Sequence, residues 1–321
     1  MVMKKYDVVA MGELLIDFTQ NGYSEQENPI FEANPGGAPC NVLAMLQKLG
    51  RKTAFIGKVG QDGFGLQLEK ALKETGISTD GLCFDKEVHT TLAVVQKKED
   101  GDRDFSFYRK PGADMMLCAE EVNEDLIRNA AIFHYGSLSL TDEPVRTATV
   151  SAIEEAEKAG VLLSFDPNLR KPLWESEELA KKQIRYGLGH CHVLKISDDE
   201  LVWLTGEQDY EKAIQQLRSE FPIPLILLSM GKNGSRAYCG EETAEAPAFL
   251  SENTIETTGA GDTFMGCMLH QILEKGYQNL STRDMEEMLI FANAAASIIT
   301  TRRGALRVMP EEEEILKRIS F

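Results

Sequence analysis

The residues best suited to chemistry lie in the run Glu256-Thr257-Thr258-Gly259-Ala260-Gly261-Asp262-Thr263-Phe264. Small residues at 259–261 let main-chain amides come close to a ligand, and the run leads straight into a helix-like segment. A helix start carries unpaired N–H groups and the positive end of the dipole, so Gly259, Ala260 and Gly261 form a candidate anion pocket. Asp262 falls on the same helix start. There it either caps the helix or stands beside the anion as a base that takes a hydroxyl proton. A second run, Gly36-Gly37-Ala38-Pro39-Cys40-Asn41, opens an earlier helix. Its glycines expose backbone, and Asn41 offers a donor and an acceptor suited to sugar hydroxyls; a plain loop-to-helix transition is the alternative. A third, Gly57-Lys58-Val59-Gly60-Gln61-Asp62-Gly63-Phe64-Gly65, reads as a strand end and a structural turn. His190 and His192 lie two apart and read as packing or surface residues rather than metal ligands.

These groups need a frame, and hydropathy supplies one. Apolar runs at 6–12, 53–59, 131–135, 162–165, 193–196 and 225–228 read as buried strands. Helical spacing at 38–49, 64–75, 143–158, 175–186 and 199–205 falls between them, with Gly50, Gly76, Gly160 and Gly206 as stops. The alternation predicts an α/β fold, a doubly wound and mostly parallel sheet with helices on both faces. Two stretches break the pattern. Residues 18–34 are polar without helical period, and 91–97 and 103–109 are strand-like across Glu99-Asp100-Gly101-Asp102, a hairpin signal. They predict a small antiparallel sheet beside the core, a lid over the site or an edge for dimerisation. The final third reads as helical at 261–275, 282–301 and 311–319, where Pro310 and the acids 311–314 mark a helix start. No repeat or long linker appears, and a single domain over 1–321 is expected, its lid formed by about 14–35 and 88–113.

Composition removes several classes of function. The chain has 321 residues, with 34 Lys+Arg against 51 Asp+Glu, a formal net charge of −17. Without a dense basic run, such a chain repels nucleic acid and anionic membranes. No apolar stretch reaches the ~18 residues of a membrane span. The six cysteines are scattered with no CxxC pair, and the start runs into a strand without an apolar signal core; a soluble cytoplasmic protein with reduced thiols is expected. There is no GxxxxGK[ST], no GxGxxG after the first strand, no HExxH and no GxSxG, so P-loop, dinucleotide, zincin and nucleophile-elbow chemistry lack support.

The stretches 36–65 and 256–266 resemble the two signatures of the PfkB (ribokinase-like) carbohydrate kinases, in the right order and about 200 residues apart. The similarity spans essentially the whole chain. Within that family the blocks Phe107-Tyr108-Arg109-Lys110-Pro111-Gly112-Ala113-Asp114-Met115, Phe165-Asp166-Pro167-Asn168-Leu169-Arg170 and Lys195-Ile196-Ser197-Asp198-Asp199-Glu200-Leu201 are similar to bacterial fructokinases.

The resemblance implies a ribokinase-like fold and transfer of the γ-phosphate of ATP to the 6-hydroxyl of D-fructose. Asp262 would be the base, and Gly259, Ala260 and Gly261 would hold the developing charge. Asp17, Gly36, Gly37, Asn41, Arg109 and Arg170 would bind the sugar. Lys195, Ser229, Gly231, Gly234 and Asn293, with Gly259 and Gly261, would bind the nucleotide. Glu200 would organise Mg²⁺ through water; Ser197 stands where many relatives have Asn. The resemblance also implies a K⁺ site at Glu256, Thr258, Ile299, Arg302 and Gly304, with Glu256 in place of the usual Asp, and a homodimer through the lid. Alternatives are 2-keto-3-deoxygluconate or another sugar as acceptor, a non-catalytic sugar-binding protein on the same fold, and a structural dimer module.

Overall fold

The computed structural model describes residues 4–97 and 103–320. In chain order it forms β1 (Tyr6–Met11), β2 (Leu15–Tyr23), β3 (Pro29–Gly36), α1 (Ala38–Lys48), β4 (Thr53–Gly60), α2 (Gly63–Thr75) and β5 (Ser78–Asp85). Then follow β6 (Leu92–Lys97), β7 (Arg103–Tyr108), α3 (Glu124–Arg128), β8 (Ala130–Gly136), α4 (Val145–Lys158), β9 (Leu162–Asp166), α5 (Glu177–His190) and β10 (Val193–Ser197). The chain ends with α6 (Asp198–Thr205), α7 (Tyr210–Glu220), β11 (Leu225–Ser229), β12 (Ser235–Cys239), β13 (Glu242–Ala246), α8 (Ala260–Lys275), α9 (Thr282–Ile299) and α10 (Glu312–Ile319).

Nine strands make one sheet in the order β13-β12-β11-β10-β9-β8-β1-β4-β5. Its inner strands are buried on both faces, which is why they read as unbroken apolar runs. Along β1, Val8 and Ala10 enter the core under α1, α8 and α9, whereas Val9 and Met11 enter the opposite core under α4 and α5. The doubly wound reading holds. From β1 the chain moves first to β4 and β5, then crosses back to β8 and continues to β11. The reversal leaves a crevice between β1 and β8 at their C-terminal ends, the place where open α/β sheets bind ligands.

The structure adds two elements to the expected fold and corrects one expectation. β12 and β13 add an antiparallel hairpin to the parallel sheet, its strands separated only by Gly240 and Glu241. Helix α7 is the second addition, with Ala213, Ile214 and Leu217 buried at helical intervals behind the Asp209 cap. The small sheet, in the order β3-β2-β6-β7, is mixed rather than antiparallel, because β2 pairs with β6 in parallel. Both strands leave the main sheet from the ends of parallel strands, β1 and β5, so they set out in one direction. The β6–β7 pairing is antiparallel as expected, while its Glu99–Asp102 turn lies outside the described residues. Boundaries also move: α4 begins at Val145 and α5 runs to His190. Among the described residues no helix is long and apolar enough to cross a membrane.

Candidate active site

Two cavities meet over the N-terminus of α8. The first, about 570 Å³, is lined by Glu13, Asp17, Gly37, Asn41, Phe107, Leu138, Asn168, Arg170, Lys195, Glu256 and Asp262, among others. The second, about 500 Å³, is lined by Ser229, Gly231, Lys232, Gly234, Phe249, Leu250, Phe264 and Asn293, among others. Thr254, Thr257 and Gly261 belong to both. The two chambers are therefore continuous across the Gly-rich loop.

The loop takes this form for steric reasons. Gly259 caps α8 with φ 76°, and a Cβ there would stand 2.7 Å from the Ala305 methyl. The helix ladder begins with the Thr263 N–H on the Gly259 carbonyl at 2.8 Å, so the amides of Ala260, Gly261 and Asp262 precede it. The Ala260 amide is already given to the Thr257 carbonyl at 3.2 Å. The donors that remain for an anion are thus centred on Gly261 and Asp262, not on Ala260. Gly261 also leaves room for Lys195, whose Nζ lies 3.0 Å from where a Cβ would be.

Asp262 is the third residue of α8, and its side chain makes no capping bond. Its Oδ2 accepts a 2.8 Å hydrogen bond from Nδ2 of Asn41 on α1. The cap reading is thereby set aside. Burial, with the Asp166 charge adding to it, raises the Asp262 carboxyl to about 6 against the opposing effects of Asn41, Lys195 and Arg170. Such a group is ionised at neutral pH yet basic enough to accept a proton. Asn41 is 4% exposed, and its Oδ1 is buried with no hydrogen-bond partner. An acceptor left unpaired in a cavity wall suits a ligand hydroxyl.

Asp17 sits on β2 at the cavity edge. Burial, with help from Asp262 and Glu256, raises it to about 7, while Arg170 pulls it down. Gly36, paired with Leu15 across β2 and β3, lies beside this side chain, and a Cβ there would stand 2.1 Å from Asp17 Oδ2, so glycine lets the carboxylate keep its place. Gly37, with φ 125°, passes against the Glu13 carbonyl, which a Cβ would approach to 2.4 Å.

Lys195 projects from β10 and is held at 2.9 Å from Asp166 Oδ2, both side chains being buried. Despite the burial that opposes it, the Asp166 and Glu200 charges keep its pKa raised. Arg170 is exposed, follows β9 and lines the first cavity.

Other expected site residues are placed differently. Arg109 is 4% exposed, and its guanidinium is committed: Nε to Asp114 at 2.7 Å, one terminal nitrogen to Thr141 Oγ1 at 3.0 Å, the other to the Leu138 carbonyl at 2.9 Å. It does not line the first cavity; it ties the end of β7 to the turn carrying Leu138. Asn293 is likewise occupied, accepting from Ser235 and donating to the carbonyls of Ala246 and Pro247, so it shapes the second cavity's wall. Glu200 spends its two oxygens on the amides of Leu169 and Ser197, at 2.6 and 2.9 Å. Among the described residues no cluster of three or more His, Cys, Asp or Glu could hold a metal.

Around the expected monovalent-cation site, Glu256 is 7% exposed, and its Oε1 accepts the Gly304 amide at 2.8 Å. The amides of Ile255 and Glu256 both reach the Thr300 carbonyl, just beyond Ile299. Arg302 is turned away, toward the Val308 carbonyl and Glu314. Thr258 lies on the same loop and lines the first cavity.

The wall also contains residues to which the sequence reading assigns no role, among them Glu13, Phe107 and Asn168. Glu13 ends a Gly-Glu pair after β1, Phe107 comes from β7, and Asn168 adopts φ 43° on the loop after β9. Asn tolerates this left-handed region better than most residues with a side chain.

The family follows from this architecture together with the comparisons. The model of the pfkB family carbohydrate kinases matches residues 5–312. The chain belongs to that family and is a sugar phosphotransferase. It is 43% identical over 312 residues to probable fructokinase-4 of Arabidopsis thaliana, covering 96% of this chain and 95% of that one. Among solved structures it resembles the Xylella fastidiosa fructokinase with bound ATP, with TM-score 0.88 and 31% identity over 98% of both chains. It also resembles the Vibrio cholerae fructokinase bound to fructose, ADP and calcium ion, with TM-score 0.88 and 29% identity over 98% of this chain and 99% of that one.

Proposed function

We propose that this chain transfers the γ-phosphoryl group of ATP to the 6-hydroxyl of D-fructose. One observation carries the proposal: the two cavities meet at Gly261, directly beside an Asp262 carboxylate that Asn41 orients from the first cavity. The sugar occupies the first cavity. The second, with Phe249, Leu250 and Phe264 in its wall, takes the adenosine. The triphosphate then runs toward Gly261 and Lys195. The fructokinase names of its relatives and the ATP and fructose found in its structural neighbours support the same assignment.

In this reading Asp262 accepts the proton of the sugar's primary hydroxyl while that oxygen attacks the γ-phosphorus and ADP departs. The transferred group needs positioning and charge stabilisation more than covalent help. The amides of Gly261 and Asp262 face the negative charge, with the Lys195 ammonium close to Gly261. Bound with the nucleotide as Mg-ATP, a divalent ion would neutralise phosphate charge. Glu200, which accepts the Leu169 and Ser197 amides, would organise that ion through water.

The charge pattern favours a neutral sugar. Glu13, Asp17, Glu256 and Asp262 line the first cavity, against Arg170 and a Lys195 already paired with Asp166. A sugar acid such as 2-keto-3-deoxygluconate would add an anion to four carboxylates. ADP release with Mg-ATP and D-fructose, 2-keto-3-deoxygluconate or ribose tests the choice. The rate is expected with fructose, and a larger kcat/KM for the keto-deoxy acid would reassign Arg170 to carboxylate binding.

The pH dependence follows from the base. Because Asp262 must be ionised and is raised to about 6, kcat/KM is expected to fall tenfold per unit as pH drops below about 6. A rate flat down to pH 5 would remove Asp262 from the role.

Three further assignments belong to this proposal. Glu256, buried without a salt bridge among the described residues, fits a monovalent cation such as K⁺ that would neutralise it beside the Gly304 amide. A potassium titration of the rate, against a large inert cation, tests this. A homodimer through the lid would cover Tyr23, Ile30 and Tyr108, which the lid strands expose, and light scattering tests it. The six free thiols support a reducing, cytoplasmic setting, which fractionation of expressing cells tests.

A further inference from the structure

Glu13 is a buried carboxylate that the mechanism above does not use. It follows β1 at the crevice between β1 and β8 and is 4% exposed. Its Oε1 accepts the Ala38 amide at 2.9 Å, and its own amide is its other main-chain partner. No salt bridge reaches it among the described residues. A carboxylate with only neutral partners is costly to bury, by several kcal/mol for an ion. Burial accordingly raises its pKa to about 7. Shaping the loop does not require that cost, because an amide side chain would accept the Ala38 N–H equally well.

The position of Glu13 explains its charge. It lines the first cavity together with Asp17, Asn41 and Asp262. It also lines a small inner chamber of about 10 Å³ with Asp262, Asp166, Asn168, His134 and Ser137. That volume accommodates about one water-sized group. A sugar hydroxyl, or one water bridging to it, is the kind of group that fits between these carboxylates. An ionised acceptor forms hydrogen bonds about twice as strong as a neutral one.

We infer that Glu13 is a specificity-determining residue, whose carboxylate accepts a hydrogen bond from a non-reacting hydroxyl of the sugar at the floor of the first cavity. The inference rests on the sugar-kinase reading of that cavity. It gives the enzyme a second reason to prefer neutral polyols: a group lacking a donor at that point leaves a buried carboxylate unpaired, and an anionic group there is repelled.

The test compares the wild type with Glu13→Gln, which keeps an oxygen for the Ala38 amide and removes the charge. KM is measured for D-fructose and for its monodeoxy analogues at each non-reacting position, along with KM for ATP and Tm. In the variant, KM for fructose is expected to rise about 10- to 100-fold, the size of a lost hydrogen bond to a charged group. KM for ATP is expected to stay as in the wild type, and Tm at pH 7 to equal or exceed it. One deoxy analogue is expected to be poor for the wild type yet no worse than fructose for Glu13→Gln, which identifies the hydroxyl. An unchanged KM for fructose overturns the inference. So does an equal loss for every analogue together with a lowered Tm, since that pattern belongs to a residue that only shapes the Gly37–Ala38 loop. If the wild type phosphorylates none of these sugars, the assignment of the acceptor fails instead, which is a separate result.

Discussion

Asp262→Asn is expected to lower kcat by about 10²- to 10⁴-fold while KM for the sugar changes far less, the loss typical of a removed general base. The substitution keeps the shape of the side chain, and its amide oxygen can still meet Asn41 Nδ2, which bonds Asp262 Oδ2 at 2.8 Å. Folding is not expected to suffer. Burial raises the Asp262 pKa to about 6, so at neutral pH the ionised carboxylate opposes the folded state, and that opposition is relieved as pH falls through 6. A neutral side chain removes it at every pH, so Tm at pH 7 should equal or exceed that of the wild type. Thermal melts and steady-state kinetics on one preparation check both parts. Turnover within threefold of wild type would show that the proton goes elsewhere.

The second large effect concerns stability. Arg109→Ala is expected to destabilise the chain by about 3–5 kcal/mol, because it leaves Asp114 buried without its ion-pair partner. The two side chains are each 2% exposed, and the same guanidinium also holds Thr141 and the Leu138 carbonyl. Tm should fall on the order of 10 °C. Asp114→Ala should cost a similar amount, and the double variant less than the sum of the two, since each single change strands the other charge. Below the melting range, Arg109→Ala should retain sugar phosphorylation with a raised KM, because Leu138 and Phe107 line the first cavity from either side of this tie. An unchanged Tm with a sugar KM raised a hundredfold would return Arg109 to direct contact with the substrate.

Arg109 also shows where sequence reading stops. Its type and its neighbourhood in the Phe107–Met115 block suggest an anion-facing group. Nothing in the spacing says that Asp114, five residues on, and a turn near residue 140 would each take hydrogen bonds from its nitrogens. Asn293 and Glu200 behave likewise: each is a polar residue in a functional segment whose hydrogen bonds go to other parts of the chain. Residue type announces capacity, and only the fold decides what is left over for a ligand.

The main elements were legible because their patterns are local. Buried strands run as continuous apolar stretches, and helices such as α2 end at a glycine in the left-handed region, Gly76 with φ 89°. The Gly-rich start of α8 and the site for Asp262 could be read for the same reason. The parallel pairing of β2 with β6 could not, since about 70 residues of chain separate the two strands. The β12–β13 hairpin and α7 did carry readable signals, a two-residue turn containing Gly240 and a capped helical period after Asp209. Glu13 gave no signal at all. Within an apolar run it looks like a surface acid, and it becomes a buried carboxylate only when the Ala38 amide docks against it.

The central claim is that Asp262 activates the 6-hydroxyl of D-fructose toward ATP at the junction of the two cavities. Carbon-13 and phosphorus-31 NMR of the product formed from labelled D-fructose and Mg-ATP tests it most directly, with Asp262→Asn run in parallel. The account predicts a single phosphate ester on carbon 6, formed by the wild type and lost in the variant. A phosphate on carbon 1, or equal product from the variant, would contradict it.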